Sequence, residues 1–334
     1  MKFGPVPLHQ AEGATLAHSV ALSSGKLRKG LILTGEHVAS LAALGLDEVI
    51  VARPEPGDVP EDEAAARIAE ALVPDPGPAH LRLTRAFTGR VNLLATAPGV
   101  ARLDPDRLNQ LNRIDPMLTL ATVPDHRQMS EGGMVATVKI ISYAVPAAAV
   151  DEAETLLRGD AAIRVAPVRL ATARLIVTEI PGGAGEKGVA AMESRLAALG
   201  MTLGEVVTVP HRQAEIESAL TGGAAADLTL ILTGSATSDP HDIAPEAVRA
   251  AGGRIERFGM PVDPGNLLFL GQLNDRPVIG LPGCARSPAL NGADWVLARI
   301  ACALPVTADD IAGMGVGGLL KEIPSRPQPR AGRT

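Results

Sequence analysis

The C-terminal half of this chain is predicted to be an α/β domain of three layers, helix on sheet on helix, with a mostly parallel sheet. Two runs, RLIVT from Arg174 and LTLILT from Leu228, are apolar at successive positions, so both faces of those strands must be covered. Helical spacing of apolar residues between and after them implies crossovers joining parallel strands. Smaller N-terminal and middle α+β regions precede this domain. Composition and Pro/Gly punctuation divide the chain at 1–75, 80–167, 168–305 and 306–334.

The first region holds a small αβ unit: a helix at HVASLAAL, a stop at Gly45 and an apolar strand at EVIVA. The segment RPEPGDVPEDEA reads as a solvated loop running into a helix over 64–72, whose acidic first turn suits the helix dipole; metal binding is the alternative. PDPGPAH is read as a linker. In the middle region FTGRVNLLAT and MVATVKIISYAV read as strands, and DPDRLNQLNRI as a helix with Asp104 as cap and Pro105 at its first position. His126 and Arg127 are isolated polar residues of a surface loop, and no chemistry is evident there.

After RLIVT, the residues Val189, Met192, Leu196 and Leu199 share one helix face. After LTLILT come a helix at PEAVRAAGG, strands at RIERFG and PVIGLPG, and a long helix with Leu290, Ala293, Leu297, Ile300 and Leu304 on one side. The Pro- and Arg-rich tail from about Ile323 reads as a linker or free end.

Composition narrows the function. Hydrophobic residues make up 46% of the sequence against 20% charged, so ordinary cores can form and a disordered chain is excluded. Aromatic residues make up only 2%, which argues against a platform that stacks bases. The formal net charge of −6 disfavours a nucleic-acid footprint or an anionic membrane surface, so any anionic ligand must be met locally. No run approaches the roughly 20 apolar residues of a membrane span, and the first residues lack a signal-peptide core; the expected location is cytoplasmic. Cys284 and Cys302 are the only cysteines, with no CxxC and no Cys/His cluster, so structural zinc and a disulfide framework are not expected.

The most informative stretch is LTGSATSDPHDIAPEAV, residues 232–248, which begins where the second apolar strand ends. Gly234 and the hydroxyls of Thr233, Ser235, Thr237 and Ser238 gather backbone and side-chain donors in one turn before a helix, an arrangement able to hold a phosphate without net positive charge. The alternative is a polar connection in which Asp242 simply caps the next helix.

The run TGSATSDPHDIAPEA at 233–247 resembles the signature T-G-G-T-G-x-x-x-R-D-V-T-P-E-A of molybdopterin adenylyltransferases and molybdopterin molybdotransferases. A second match, VDPGNLLFLGQLNDRPVIGLPGCARSP, is similar to the molybdotransferase patterns K-P-G-K-P-L-A-F-G and G-L-P-G-N-P-V-S. The openings VPLHQAEGATLAHSV and KGLILTGEHVASLAALGLDEVIV resemble the start of the same family more loosely. A nearer relative by this resemblance is the molybdopterin-binding half of bifunctional molybdenum cofactor cytidylyltransferases, whose inter-domain joint GMGVGGLLKEIPSRPQPR resembles.

The resemblance implies a ligand, molybdopterin or its nucleotide, with magnesium and molybdate as further cofactors. It places the ligand at Thr178 and Glu179, at Thr233, Gly234, Ser235, Ala236, Thr237 and Ser238, at His241, at Pro264, Gly265 and Asn266, and at Pro282, Gly283, Cys284 and Ser287. Asp242 takes the family's catalytic position and would hold the magnesium. The segment GGAGEKG at 182–188 is a further candidate phosphate loop. Asp263 and Asn266 stand where the family has lysines, and Cys284 where it has Asn, which removes cations from beside a bound dianion. These departures favour a carrier that presents the cofactor to a cytidylyltransferase or a molybdoenzyme; Asp242 favours a molybdotransferase. A nucleotide-pyrophosphate or amide hydrolase of the same domain type is the third reading, and homo-oligomerisation stays open.

Overall fold

The structure, a computed structural model, describes residues 1–23, 25–184 and 186–320. The tail read as a linker from about Ile323 lies outside the described residues. The chain forms two compact units. The first takes in Met1–Thr96, Ala101–Asp125 and Glu131–Val165, and the second Ala97–Val100, His126–Ser130 and the chain from Ala166.

The first unit joins the N-terminal and middle regions. An antiparallel sheet ordered Lys2–Pro7, Glu48–Arg53, Thr15–Leu16 packs on the helix Gly35–Ala42 around Leu16, Leu41 and Val51. The helix Glu61–Leu72 opens on the three acids of its first turn. Its Arg67 reaches Asp151 and Glu154 on the helix Ala147–Leu157, each at 2.8 Å. PDPGPAH, expected as a linker, lies within this unit as a run of turns in which the Leu81 N–H donates to Pro76 O at 3.0 Å. Asp104 caps the helix Pro105–Ile114 by accepting the Arg107 N–H, as expected. The strands read in the middle region are Arg90–Ala95 and Met134–Ile140, antiparallel partners.

The second unit is the three-layer α/β domain. In chain order it comprises β1 (Thr172–Glu179), α1 (Val189–Ala198), β2 (Thr202–Pro210), α2 (Gln213–Gly222), β3 (Leu228–Leu232), α3 (Ile243–Ala250), β4 (Arg254–Phe258), β5 (Phe269–Leu273), β6 (Arg276–Leu281), α4 (Gly292–Ala301) and α5 (Ala308–Ala312). The sheet order is β2-β1-β3-β6-β5-β4. Strands β2, β1, β3 and β6 are parallel; β5 is antiparallel to both its neighbours, β6 and β4, so β4 again runs in the common direction. Alternate residues of each central strand enter opposite cores. Leu175, Val177, Leu230 and Leu232 meet Met192 and Leu196 of α1 with Val296 and Leu297 of α4. Ile176 and Ile231 meet Ile216 of α2 and Val248 of α3 on the other face. The continuous apolar runs reflect this two-sided burial.

Three features depart from the sequence reading. Strand β2 and helix α2 were not anticipated, because an edge strand keeps one row of side chains in solvent and its register with β1 is broken between Ala173 and Leu175. Helix α4 begins at Gly292, capped by Asn291, so Leu290 lies outside it and is exposed. Val306, Ile311 and Met314, beyond the expected boundary at 305, are buried in the domain's own core. GMGVGG at 313–318 satisfies the letters G-x-G-x-x-G, but it forms a 3-10 turn against Pro261 rather than a strand-to-helix turn, so it is no dinucleotide fingerprint.

Gly280 on β6 lies directly opposite Phe269 on β5, and a Cβ there would overlap the fully buried ring. Gly280→Ala is expected to lower the unfolding free energy of this domain by about 1–3 kcal/mol, measured by urea denaturation.

Candidate functional site

Parallel strands end together, and the loops that follow them meet at one edge of the sheet. Strand β1 ends at Glu179, β3 at Leu232 and β6 at Leu281. Strand β5 starts at Phe269 opposite Gly280, so the loop before it reaches the same edge. The residues expected at the ligand lie at this edge, Thr178 and Glu179 at the end of β1 and the others in three groups on segments that leave or approach it.

The 233–238 turn is the first group. Gly234 N–H donates to the Thr178 hydroxyl at 2.8 Å. The Thr233 hydroxyl donates to Ser235 O at 2.6 Å and lies 3.4 Å from the Thr237 hydroxyl. Thr178, Thr233 and Thr237 are buried, so these hydroxyls brace the turn from within. Ser235, Ala236 and Ser238 face solvent. Among the described residues, the backbone N–H groups of Ser235, Ala236 and Thr237 find no acceptor. Three successive uncommitted amides are what an anion requires of a neutral loop. Asp242 closes the turn: one carboxylate oxygen accepts the Ile243 N–H at 2.7 Å and caps α3, and the other accepts the Ser238 N–H at 3.0 Å. His241 is exposed and pairs with Glu246 at 2.8 Å on the flank of α3; this hydrogen bond holds the Glu246 carboxyl below its ordinary range.

The loop after β6 is the second group. Pro282 is buried, and its carbonyl accepts the Ala285 N–H at 2.9 Å. Gly283, Cys284 and Ser287 are exposed. Burial of the sulfur's surroundings raises the Cys284 thiol above its ordinary value. Two arginines that the sequence reading passed over shape this loop. Arg195 of α1 pairs with Asp294 of α4 at 2.5 Å and donates to the carbonyls of Ala285, Ser287 and Ala289 at 3.0, 2.8 and 2.9 Å. Arg286 donates to Thr233 O at 2.8 Å and also to Lys187 O, which ties together the loops after β1, β3 and β6.

The third group, Pro264, Gly265 and Asn266, serves packing more than exposure. Pro264 O accepts the N–H of Gly292, the first residue of α4, at 2.8 Å. Gly265 is buried, and a Cβ there would stand 2.7 Å from Gly292 N. The Asn266 side chain donates to Met260 O at 3.4 Å. Asp263 exchanges backbone hydrogen bonds with Gly318 and Leu320 at 2.8 and 2.9 Å, so the 306–320 extension borders this loop.

A cavity of about 520 Å³ opens at the opposite edge, walled by Leu170, Leu270, Ile300, Leu304 and Val306. Its charged rim includes Arg254 and Glu256, 3.7 Å apart and paired with each other. Converging polar groups, not volume, single out the carboxyl edge.

Residues 174–300 match the family model described as "probable molybdopterin binding domain". The matched residues lie within the C-terminal α/β domain. Residues 5–53 match a second model, a domain of unknown function. No curated protein sequence matches the chain. Among solved structures, the chain is similar to a molybdopterin biosynthesis MoeA protein from Pyrococcus horikoshii, at 12% identity, 94% of this chain, 76% of that one and a TM-score of 0.29. It is also similar to a molybdopterin biosynthesis protein from Mycobacterium abscessus, at 17% identity, 40% and 94% coverage and a TM-score of 0.28. The molybdopterin biosynthesis enzyme MoaB from Thermus thermophilus is a third, at 17% identity, 46% and 100% coverage and a TM-score of 0.28. The residues that match the family model include the 233–238 turn, Asp242 and the loop after β6.

Two outcomes test this geometry. Asp242→Ala is expected to cost about 1 kcal/mol of unfolding free energy through loss of the α3 cap, and Asp242→Asn much less, by urea denaturation. In the native protein iodoacetamide is expected to label Cys284 but not Cys302, which is buried and pushed up to about 11. Because a raised thiol releases its proton late, the labelling rate at Cys284 should still be climbing with pH above the ordinary thiol range, read by mass spectrometry.

Proposed function

We propose that the molybdopterin-binding domain holds the phosphate of molybdopterin, or of its nucleotide, in the 233–238 turn and serves molybdenum cofactor biosynthesis as a carrier. The observation that supports this is the run of amides at Ser235, Ala236 and Thr237 with no acceptor among the described residues, opening beside the exposed Ser235 and Ser238. Donors fixed before a ligand arrives need no reorganisation to meet a dianion. The exposed Gly283, Cys284 and Ser287 border the turn through Arg286 and offer a wall for the rest of the ligand.

The carrier reading is favoured over molybdate insertion by the chemistry of the donors. Asp263 and Asn266 place no cation in the loop before β5, where the resembling transferases have lysines. Asp242 retains outward lone pairs, but both its oxygens already accept backbone N–H groups. No group of three or more His, Cys, Asp or Glu side chains able to hold a metal occurs among the described residues. A magnesium ion bound through Asp242 would thus take most of its oxygen ligands from phosphate and water, and its chemistry would be neutralisation of phosphate charge. A carrier delivering to a cytidylyltransferase or a molybdoenzyme needs only the grip of the turn and release.

Titration of the purified protein with molybdopterin and with its dephosphorylated form tests this. The phosphate should improve affinity by about tenfold or more, and Asp242→Asn should shift the dissociation constant by less than about threefold, since the amide keeps an oxygen for the cap. Absence of molybdopterin binding, with or without magnesium and molybdate, would reject the assignment. Conversion of adenylylated molybdopterin and molybdate to the metallated cofactor, lost in Asp242→Asn, would replace the carrier by a transferase.

A further inference from the structure

We propose that His211, acting through the Thr178 hydroxyl, is a positioning residue for the turn; the inference rests on that turn being the ligand site. Thr178 is wholly buried at the end of β1, and its hydroxyl oxygen lies 2.8 Å from Gly234 N and 2.8 Å from His211 Nδ1. The Gly234 N–H can only donate, so the Thr178 oxygen accepts it. The single hydroxyl proton then goes to His211 Nδ1, which assigns His211 the neutral tautomer with its hydrogen on Nε2. The opposite arrangement, with Nδ1–H donating, would leave the Thr178 proton buried without an acceptor, a costly state.

The backbone holds both partners in place. His211 follows β2, and its N–H donates to Glu179 O at 2.8 Å, which seats the imidazole beside the end of β1. A Cβ on Gly234 would stand 2.6 Å from Thr178 O, so only glycine lets the turn approach closely enough to reach the hydroxyl. Gly234 immediately precedes the amides of Ser235, Ala236 and Thr237. The planar 233–234 peptide is thereby held on both sides, its N–H by Thr178 and its carbonyl by Arg286, and this is the plane from which the following three residues leave. The segment just after the edge strand β2 thus contributes a residue to a turn that follows β3, two strands away.

Four variants test the chain of bonds: Thr178→Val and His211→Leu remove a member, while Thr178→Ser and His211→Asn keep a hydroxyl and an acceptor, respectively. Amide hydrogen exchange at Gly234, followed by NMR, is expected to quicken about tenfold in Thr178→Val and His211→Leu, with β1 amides such as Ile176 unchanged, and to recover in the other two. Molybdopterin affinity should follow the same order, and the imidazole 15N shifts of the wild type should place the hydrogen on Nε2. Unchanged Gly234 exchange in His211→Leu, an equal loss in His211→Asn, or a hydrogen on Nδ1 would overturn the proposal. Failure of the wild type to bind molybdopterin would instead reject the function proposed above, and Gly234 exchange would still decide the role of His211.

Discussion

Thr178 and Gly234 meet where two parallel strands end side by side, and the rest of the site is arranged around that hydrogen bond. Register makes the meeting possible: Val177 of β1 pairs with Leu232 of β3, so Thr178, near the end of β1, stands level with Thr233, the first residue past β3. Parallel pairing leaves the chain no choice of edge for those loops. The turn then has to pass over the end of β1 at a distance that excludes a side chain, and glycine occupies that point.

A turn with uncommitted amides is soft unless its frame is stiff, and the frame here is supplied by charge held in fixed geometry. Arg195 and Asp294 join α1 to α4, and the same guanidinium gathers three carbonyls of the loop after β6. Asp294 also accepts the Asn291 N–H at 2.8 Å, which couples the clamp to the start of α4. Arg286 does the corresponding service between that loop, the turn and Lys187. Planar, multidentate donors suit this task, because each nitrogen holds a separate strand of backbone without a change of rotamer. Charge in the domain is used here to shape neutral loops.

The two-sided burial of β1 and β3 was legible in the apolar runs, and so was the capping of the helix after the turn by Asp242. The turn's hydroxyls were legible as polar atoms, but not as internal braces: nothing local distinguishes Thr233, whose proton is spent on Ser235 O, from Ser235 itself, which faces solvent. His211 was invisible because β2 was. An edge strand with one wetted row and a broken register carries neither the continuous apolar run of a central strand nor a clean alternation.

By itself the sequence determined the layers of the C-terminal domain, the place of the hydroxyl-rich turn at a strand end, and the motifs shared with molybdopterin-binding proteins, because apolar periodicity and local turn chemistry are properties of neighbouring residues. Only the tertiary structure decided that 306–320 continues that domain, that Pro264 and Gly265 seat α4, and that His211, Arg195 and Arg286 hold the site's loops. Those partners lie far apart in the chain, 33 residues between Thr178 and His211 and 99 between Arg195 and Asp294. Such pairs are selected by where strands end in a common sheet, a relation that no window along the chain contains.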